Sequence, residues 1–149
     1  MPNRQETNKI VIHCAATKPS MDIGKEEITT WHIQRGFRTI GYHYVIRRDG
    51  AVEVGRSQEE IGAHALNHNK DSVGICLVGG MSEDNEAEEN FTDIQWEILR
   101  EVVEDLLEDY PDADVIGHND ISEKACPCFD VKEWRVKNVV ASATIDSMP

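Results

Sequence analysis

The sequence predicts a single α/β domain in which a mixed central β-sheet is flanked by helices. Three observations carry that expectation. Residues 9–13, 72–78 and 114–117 are short apolar runs with the length of buried strands. Residues 42–54 alternate around Asp49-Gly50 and read as a β-hairpin. Between these lie stretches of helical spacing, and strands interspersed with helices place the helices against a sheet. A chain of 149 residues suits one domain with a substantial core. Its 40% apolar and 29% charged residues are ordinary globular composition.

Residues 1–8 are polar and read as a flexible arm. The strand at 9–13 ends in His13, which points at whatever lies over the sheet edge. Cys14 follows directly, so an extended chain turns it the other way, into the core. Residues 19–24 form a loop, and 25–35 form a helix with Ile28, Trp31 and His32 near its buried face and Gly36 as its C-terminal cap. His32 reads as a surface or packing residue. In the hairpin, Asp49-Gly50 predicts a type I′ turn. Tyr42 and Tyr44 fall on one face and His43, read as structural, on the other.

Residues 57–69 are irregular, with His68 in a solvated loop. Cys76, within the next strand, reads as a small buried residue. Thr92-Asp93-Ile94-Gln95 has the capping-box form that opens a helix. Ile94, Ile98, Leu99, Val102, Val103, Leu106 and Leu107 then recur at helical spacing until Tyr110-Pro111. The strand at 114–117 delivers His118. A second capping box at Asp130-Val131-Lys132-Glu133 opens a helix to about residue 140, and 141–149 read as a loose tail. The domain proper is therefore 9–140.

The formal charge of −13 argues against direct nucleic-acid binding, which needs Lys and Arg to displace phosphate counterions. Residues 83–89 hold five of the carboxylates and read as a solvated loop. No run approaches the roughly 18 apolar residues of a membrane span, and the polar N-terminus carries no signal-peptide core. The expectation is a cytoplasmic chain without a membrane partner, its four cysteines reduced. A Gly-rich phosphate loop, a GxSxG elbow and an HExxH helix are all missing.

Chemistry concentrates in residues 117–130, where one loop carries an imidazole (His118), an ammonium (Lys124) and a thiol (Cys126). Imidazole and thiolate both bind zinc, and a catalytic zinc takes three protein ligands plus water. His13 is the candidate third ligand. On residue types alone, a histidine in a turn and a cysteine in the core stands beside that reading.

The loop belongs to an ordered series: His13-Cys14-Ala15-Ala16-Thr17, Gly41-Tyr42-His43-Tyr44, Arg48-Asp49-Gly50, Gly62-Ala63-His64-Ala65, Gly74-Ile75-Cys76-Leu77-Val78-Gly79-Gly80 and Lys124-Ala125-Cys126-Pro127. This series resembles the zinc-dependent N-acetylmuramoyl-L-alanine amidases of the phage-lysozyme and peptidoglycan-recognition type, over residues 9–138. The small amidase lysozymes of short-tailed coliphages are the most similar.

The resemblance implies an α/β fold with one Zn2+ per chain in a surface groove, held by His13, His118 and Cys126. It implies Tyr42 beside the metal, holding or deprotonating the attacking water, and Lys124 facing the oxyanion. It places His64 and Thr17 in the substrate groove. Glu123 competes as general base, because zinc hydrolases often use a carboxylate, but neighbours in an extended loop point apart. Cys128 departs from the family, which usually carries Ser there, and is the obvious fourth ligand of a structural site. The implied reaction is cleavage of the amide joining the lactyl group of N-acetylmuramic acid to L-alanine in peptidoglycan, in the manner of a phage endolysin. A non-catalytic peptidoglycan-binding module is the alternative, and inhibition of phage RNA polymerase is a second role seen in some relatives.

Overall fold

In a computed structural model that describes residues 3–139, five strands build one sheet. They are β1 (Lys9–Cys14), β2 (Tyr44–Ile46), β3 (Val52–Val54), β4 (Ser72–Leu77) and β5 (Asp114–Gly117). Their order across the sheet is β3-β2-β4-β1-β5. Only the β2–β3 hairpin is antiparallel; β4 runs parallel to β2 and β1, and β1 parallel to β5. The helices are α1 (Lys25–Gln34), α2 (Asp93–Asp109) and α3 (Val131–Asn138). This is the mixed sheet with flanking helices that the sequence predicts.

The period of two along each strand divides the interior into two layers. Ile10, Ile12 and Cys14 of β1, with Val73, Ile75 and Leu77 of β4, pack against Leu99, Val103, Leu106 and Leu107 of α2 and Val131 of α3. Each such side chain contributes about 1.5–3 kcal/mol relative to exposure. Packing of this stripe, more than local propensity, therefore holds α2 in place. Cys14 is a core thiol, as the alternation requires. A smaller cluster of Ile28, Ile40, Val45, Cys76 and Val78 fills the other face, beneath α1, with Trp31 and Tyr42 at its margin. His13 falls on this second face, opposite Ile12 and Cys14.

Helix α2 begins at the predicted capping box. Thr92 Oγ1 accepts from the Gln95 N–H at 3.2 Å, and Gln95 Oε1 accepts from the Thr92 N–H at 2.9 Å. Gln95 is fully buried, and its Nε2 donates to the carbonyls of Ile46 (3.1 Å) and Val78 (2.9 Å). The cap thus also ties α2 to the ends of β2 and β4.

One local expectation differs from the structure. The hairpin turn is not type I′: Gly50 has φ 88°, but Asp49 is not among the positive-φ residues. Gly50 N–H donates to Arg47 O (2.9 Å) and Arg47 N–H to Ala51 O (2.9 Å), closing a three-residue loop with glycine at the left-handed position. Along the segment expected as a flexible arm, Arg4 N–H donates to Glu59 O (2.7 Å). The Arg4 guanidinium donates to Glu60 O (2.7 Å) and the Tyr110 hydroxyl (3.2 Å). Helix α3 closes at Asn138, and the tail expected at 141–149 lies outside the described residues. Among the described residues no helix is long and apolar enough to cross a membrane.

Candidate metal centre

The parallel pairing of β1 and β5 sets Ile12 opposite Gly117, so the two strands deliver His13 and His118 side by side. His13 is the penultimate residue of β1 and only 1% exposed. His118 opens the 3₁₀ turn that follows β5, where Gly117 N–H donates to Asp120 Oδ2 at 2.8 Å. The ring centroids lie 4.6 Å apart.

Cys126 comes from the loop beyond that turn. The loop is fastened by Asn119 Nδ2 donating to Phe129 O (3.2 Å), Ser122 Oγ donating to His118 O (2.9 Å) and Cys128 N–H donating to Ala125 O (2.7 Å). The Cys14 N–H, from the end of β1, reaches back to donate to Cys126 Sγ at 3.0 Å.

One donor atom from each of His13, His118 and Cys126 lies within 4.8 Å of the others. Two imidazoles and a thiol suit zinc, and three protein ligands leave a fourth position open. The N–H donated by Cys14 holds the Cys126 sulfur in place beside the two imidazoles. His13 is held well below the usual histidine range, by burial first and then by the positive character of His64, His118 and Lys124. Burial, then Lys124, also lowers His118. Both rings are therefore neutral and have lone pairs to offer. Cys128 does not join the cluster, for its Sγ is turned to Gly80 O at 3.3 Å.

The Tyr42 ring stands 5.1 Å from that of His13, tilted by 54°. Burial, followed by the neighbouring thiols of Cys76, Cys126 and Cys14, raises its phenol well above the ordinary tyrosine value, so the hydroxyl keeps its proton. Lys124 is exposed on the loop, and its charge acts on both His13 and His118. Glu123 beside it is also exposed.

The two residues expected in the groove are both largely buried. His64 is only 9% exposed; its Nδ1 lies 2.8 Å from His13 Nε2, and burial first pushes its pKa down to about 3. Thr17 is 3% exposed, and its Oγ1 accepts from the Gly79 N–H at 3.0 Å, clamping the turn after β4.

Three further residues support the site: His32 and His43, read from the sequence only as packing or structural residues, and Ser72, which had no role assigned from the sequence. His32 is buried, accepts the Gly41 N–H on Nδ1 at 2.9 Å, and packs 5.3 Å from the Tyr42 ring. His43 is also fully buried and accepts the Gly74 N–H on Nδ1 at 3.0 Å. Ser72 supports His64 from behind, its Oγ 3.1 Å from His64 Nε2. One signal was present, since a glycine inside a strand, here Gly74, marks close approach of another group.

Comparison with known proteins supplies the family. Residues 3–129 match the family model described as N-acetylmuramoyl-L-alanine amidase. The chain is 46% identical over 140 residues to the endolysin of Klebsiella phage KP32, covering 94% of this chain and 93% of that one. It is 42% identical over 140 residues to the endolysin of Escherichia phage T7, with the same coverage. Among solved structures, the endolysin N-acetylmuramoyl-L-alanine amidase LysCS from Clostridium intestinale superposes with a TM-score of 0.78 at 30% identity. That match covers 94% of this chain and 90% of the other. Fold, sequence and the ordered motifs agree: this chain belongs to the N-acetylmuramoyl-L-alanine amidase family.

Proposed function

We propose that this endolysin-type amidase hydrolyses the bond between the lactyl group of N-acetylmuramic acid and L-alanine in peptidoglycan, with one zinc held by His13, His118 and Cys126. The observation that carries the proposal is the convergence of those three donors within 4.8 Å. When bound there, zinc supplies Lewis acidity toward the scissile carbonyl and brings the pKa of a water from about 15.7 to about 7.

The chain's own groups do the rest. Neutral His13 and His118 present lone pairs, and the Cys14 N–H donates to the Cys126 sulfur and holds it in place. The Tyr42 hydroxyl, kept protonated beside His13, orients the attacking water by hydrogen bonding. The Lys124 ammonium, exposed at the mouth of the site, meets negative charge as it develops on the carbonyl oxygen, where a fixed donor acts most strongly. Glu123 has no role in this scheme. A binding module without hydrolysis is the weaker reading, because the Cys126 thiol completes the donor set. Residues 9–140 form the catalytic domain in this proposal.

Incubation with purified peptidoglycan tests it. New L-alanine amino termini should appear without new reducing sugar ends. Chelation should stop their release, and added zinc should restore it. New reducing ends, which mark glycosidic hydrolysis by paired carboxylates, would overturn the proposal. So would activity indifferent to chelation.

A further inference from the structure

A histidine can ligate a metal only through a nitrogen that carries no proton, so the tautomer of a ligating ring matters as much as its position. His13 Nε2 and His64 Nδ1 are 2.8 Å apart, and a hydrogen bond of that length needs one proton between them. The contact alone does not say which ring supplies it. The answer lies one residue further back.

His64 Nε2 is 3.1 Å from Ser72 Oγ. Ser72 has a single hydroxyl proton, and it is donated to His68 O at 2.6 Å. Toward His64, Ser72 can therefore only accept. His64 must carry its proton on Nε2, which leaves Nδ1 of the neutral ring as an acceptor. His13 must then donate from Nε2, and its Nδ1 is left with a free lone pair.

The ring of His64 sits in a slot made for it. A Cβ on Gly74, in the middle of β4, would fall 2.5 Å from His64 Cγ, and one on Gly62 would fall 2.7 Å from Cδ2. Asn69 Oδ1 accepts from the backbone N–H groups of His64 (2.8 Å) and Ala65 (2.9 Å), which fixes the segment that carries the ring. Ser72 is fully buried. No solvent-facing edge of this arrangement is needed to hold the bonds.

We propose that Ser72 and His64 form a hydrogen-bond relay that locks His13 in its Nε2–H tautomer and so presents the Nδ1 lone pair to the metal. His64 and Ser72 are then positioning residues that act through His13, and His64 is not a substrate contact. The inference rests on the zinc reading given above for its purpose, but the tautomers themselves exist with or without the metal. Groups that orient a ligating histidine typically influence metal affinity by about 10–100-fold.

The test uses the full chain labelled with 15N-histidine, zinc-loaded and after zinc removal. Two-bond 15N–1H correlations identify which ring nitrogen bears the proton. Both His13 and His64 should be Nε2–H tautomers in the metal-free protein. Zinc affinity, measured by competition with a chelator, should fall about 10-fold in Ser72→Ala and up to about 100-fold in His64→Phe. His64→Gln, whose amide oxygen can accept from His13, should recover part of the loss.

A proton on His13 Nδ1 in the metal-free wild type would overturn the relay, and that measurement needs no variant to fold. Unchanged zinc affinity in folded Ser72→Ala and His64→Phe would also overturn it. Wild-type protein that shows both Nε2–H tautomers yet takes up no zinc would support the relay and reject the zinc reading.

Discussion

Gly74→Ala is the sharpest perturbation that this site offers, because one methyl group is added at a known distance. The new Cβ would lie 2.5 Å from His64 Cγ and 2.7 Å from His64 Nδ1. Carbon atoms pack at about 3.5–4.0 Å, so the ring must withdraw by roughly 1 Å. Gly62 and the buried Ser72 leave it little room behind. A 2.8 Å hydrogen bond to His13 that lengthens by this much passes beyond about 3.5 Å and is lost.

Two readouts follow. Overpacking costs about 1–3 kcal/mol, which in a chain of this size lowers Tm by roughly 2–12 °C. Zinc affinity should fall about 10–100-fold. A control separates the two effects. Leu99→Ala, in the α2 core on the opposite face of the sheet from His13, should cost about 2–5 kcal/mol yet leave zinc affinity unchanged. In the double variant Gly74→Ala/His64→Ala the ring is gone, so the alanine at 74 should add little further loss of affinity. A folded Gly74→Ala protein that binds zinc as tightly as wild type would show that the His64–His13 contact does not govern metal affinity.

Other outcomes can be checked with the same preparations. Cys126→Ser should lose the zinc and most activity while retaining its fold by circular dichroism, whereas Cys128→Ser, whose thiol faces Gly80 O, should be nearly neutral. Zinc analysis should find Lys124→Ala and Tyr42→Phe still loaded. Their kcat should drop by about 10²–10³, the usual effect of removing one oxyanion donor in the case of Lys124, with little change in KM. Glu123→Gln should remain active; a dead Glu123→Gln beside active Tyr42 and Lys124 variants would reassign the base.

Acid should destabilise the fold early. His32 and His43 are both buried with pKa values lowered to about 4, chiefly by burial, so the unfolded chain binds their protons first. The stability they protect is complete above about pH 6.5 and is lost as pH falls toward 4, on the order of a few kcal/mol. A urea midpoint that is flat from pH 7 to 5 would contradict this.

Much of the architecture was legible because local and global signals coincide here. The β1 and β4 runs have the length of buried strands, the Thr92 capping box marks a helix start and the α2 stripe has a helical period, and each lies where expected. The turn at Asp49-Gly50 was misread because the dipeptide suits both a type I′ turn and a three-residue loop. The choice fell to Arg47–Ala51 pairing, which composition does not encode.

Bringing His13 beside His118 depends on parallel pairing across a hundred residues, and spacing alone says nothing of it. The ordered motifs supplied that link by resemblance. His64 was assigned to the groove by the same resemblance. Gly62 and Gly74 leave the space that its ring fills, which sequence spacing does not reveal. Arg4 was overlooked because a polar N-terminus gives no sign that its one guanidinium has a carbonyl and a phenol waiting.

The central claim is that His13, His118 and Cys126 together hold a catalytic zinc. Zinc K-edge absorption on the purified chain, combined with metal analysis, measures that coordination directly. One zinc per chain is expected, with a single sulfur at about 2.3 Å and the remaining ligands nitrogen or oxygen at about 2.0–2.1 Å. Two sulfurs in the first shell would bring Cys128 into a closed structural site, and no sulfur would remove Cys126; either spectrum would contradict the account.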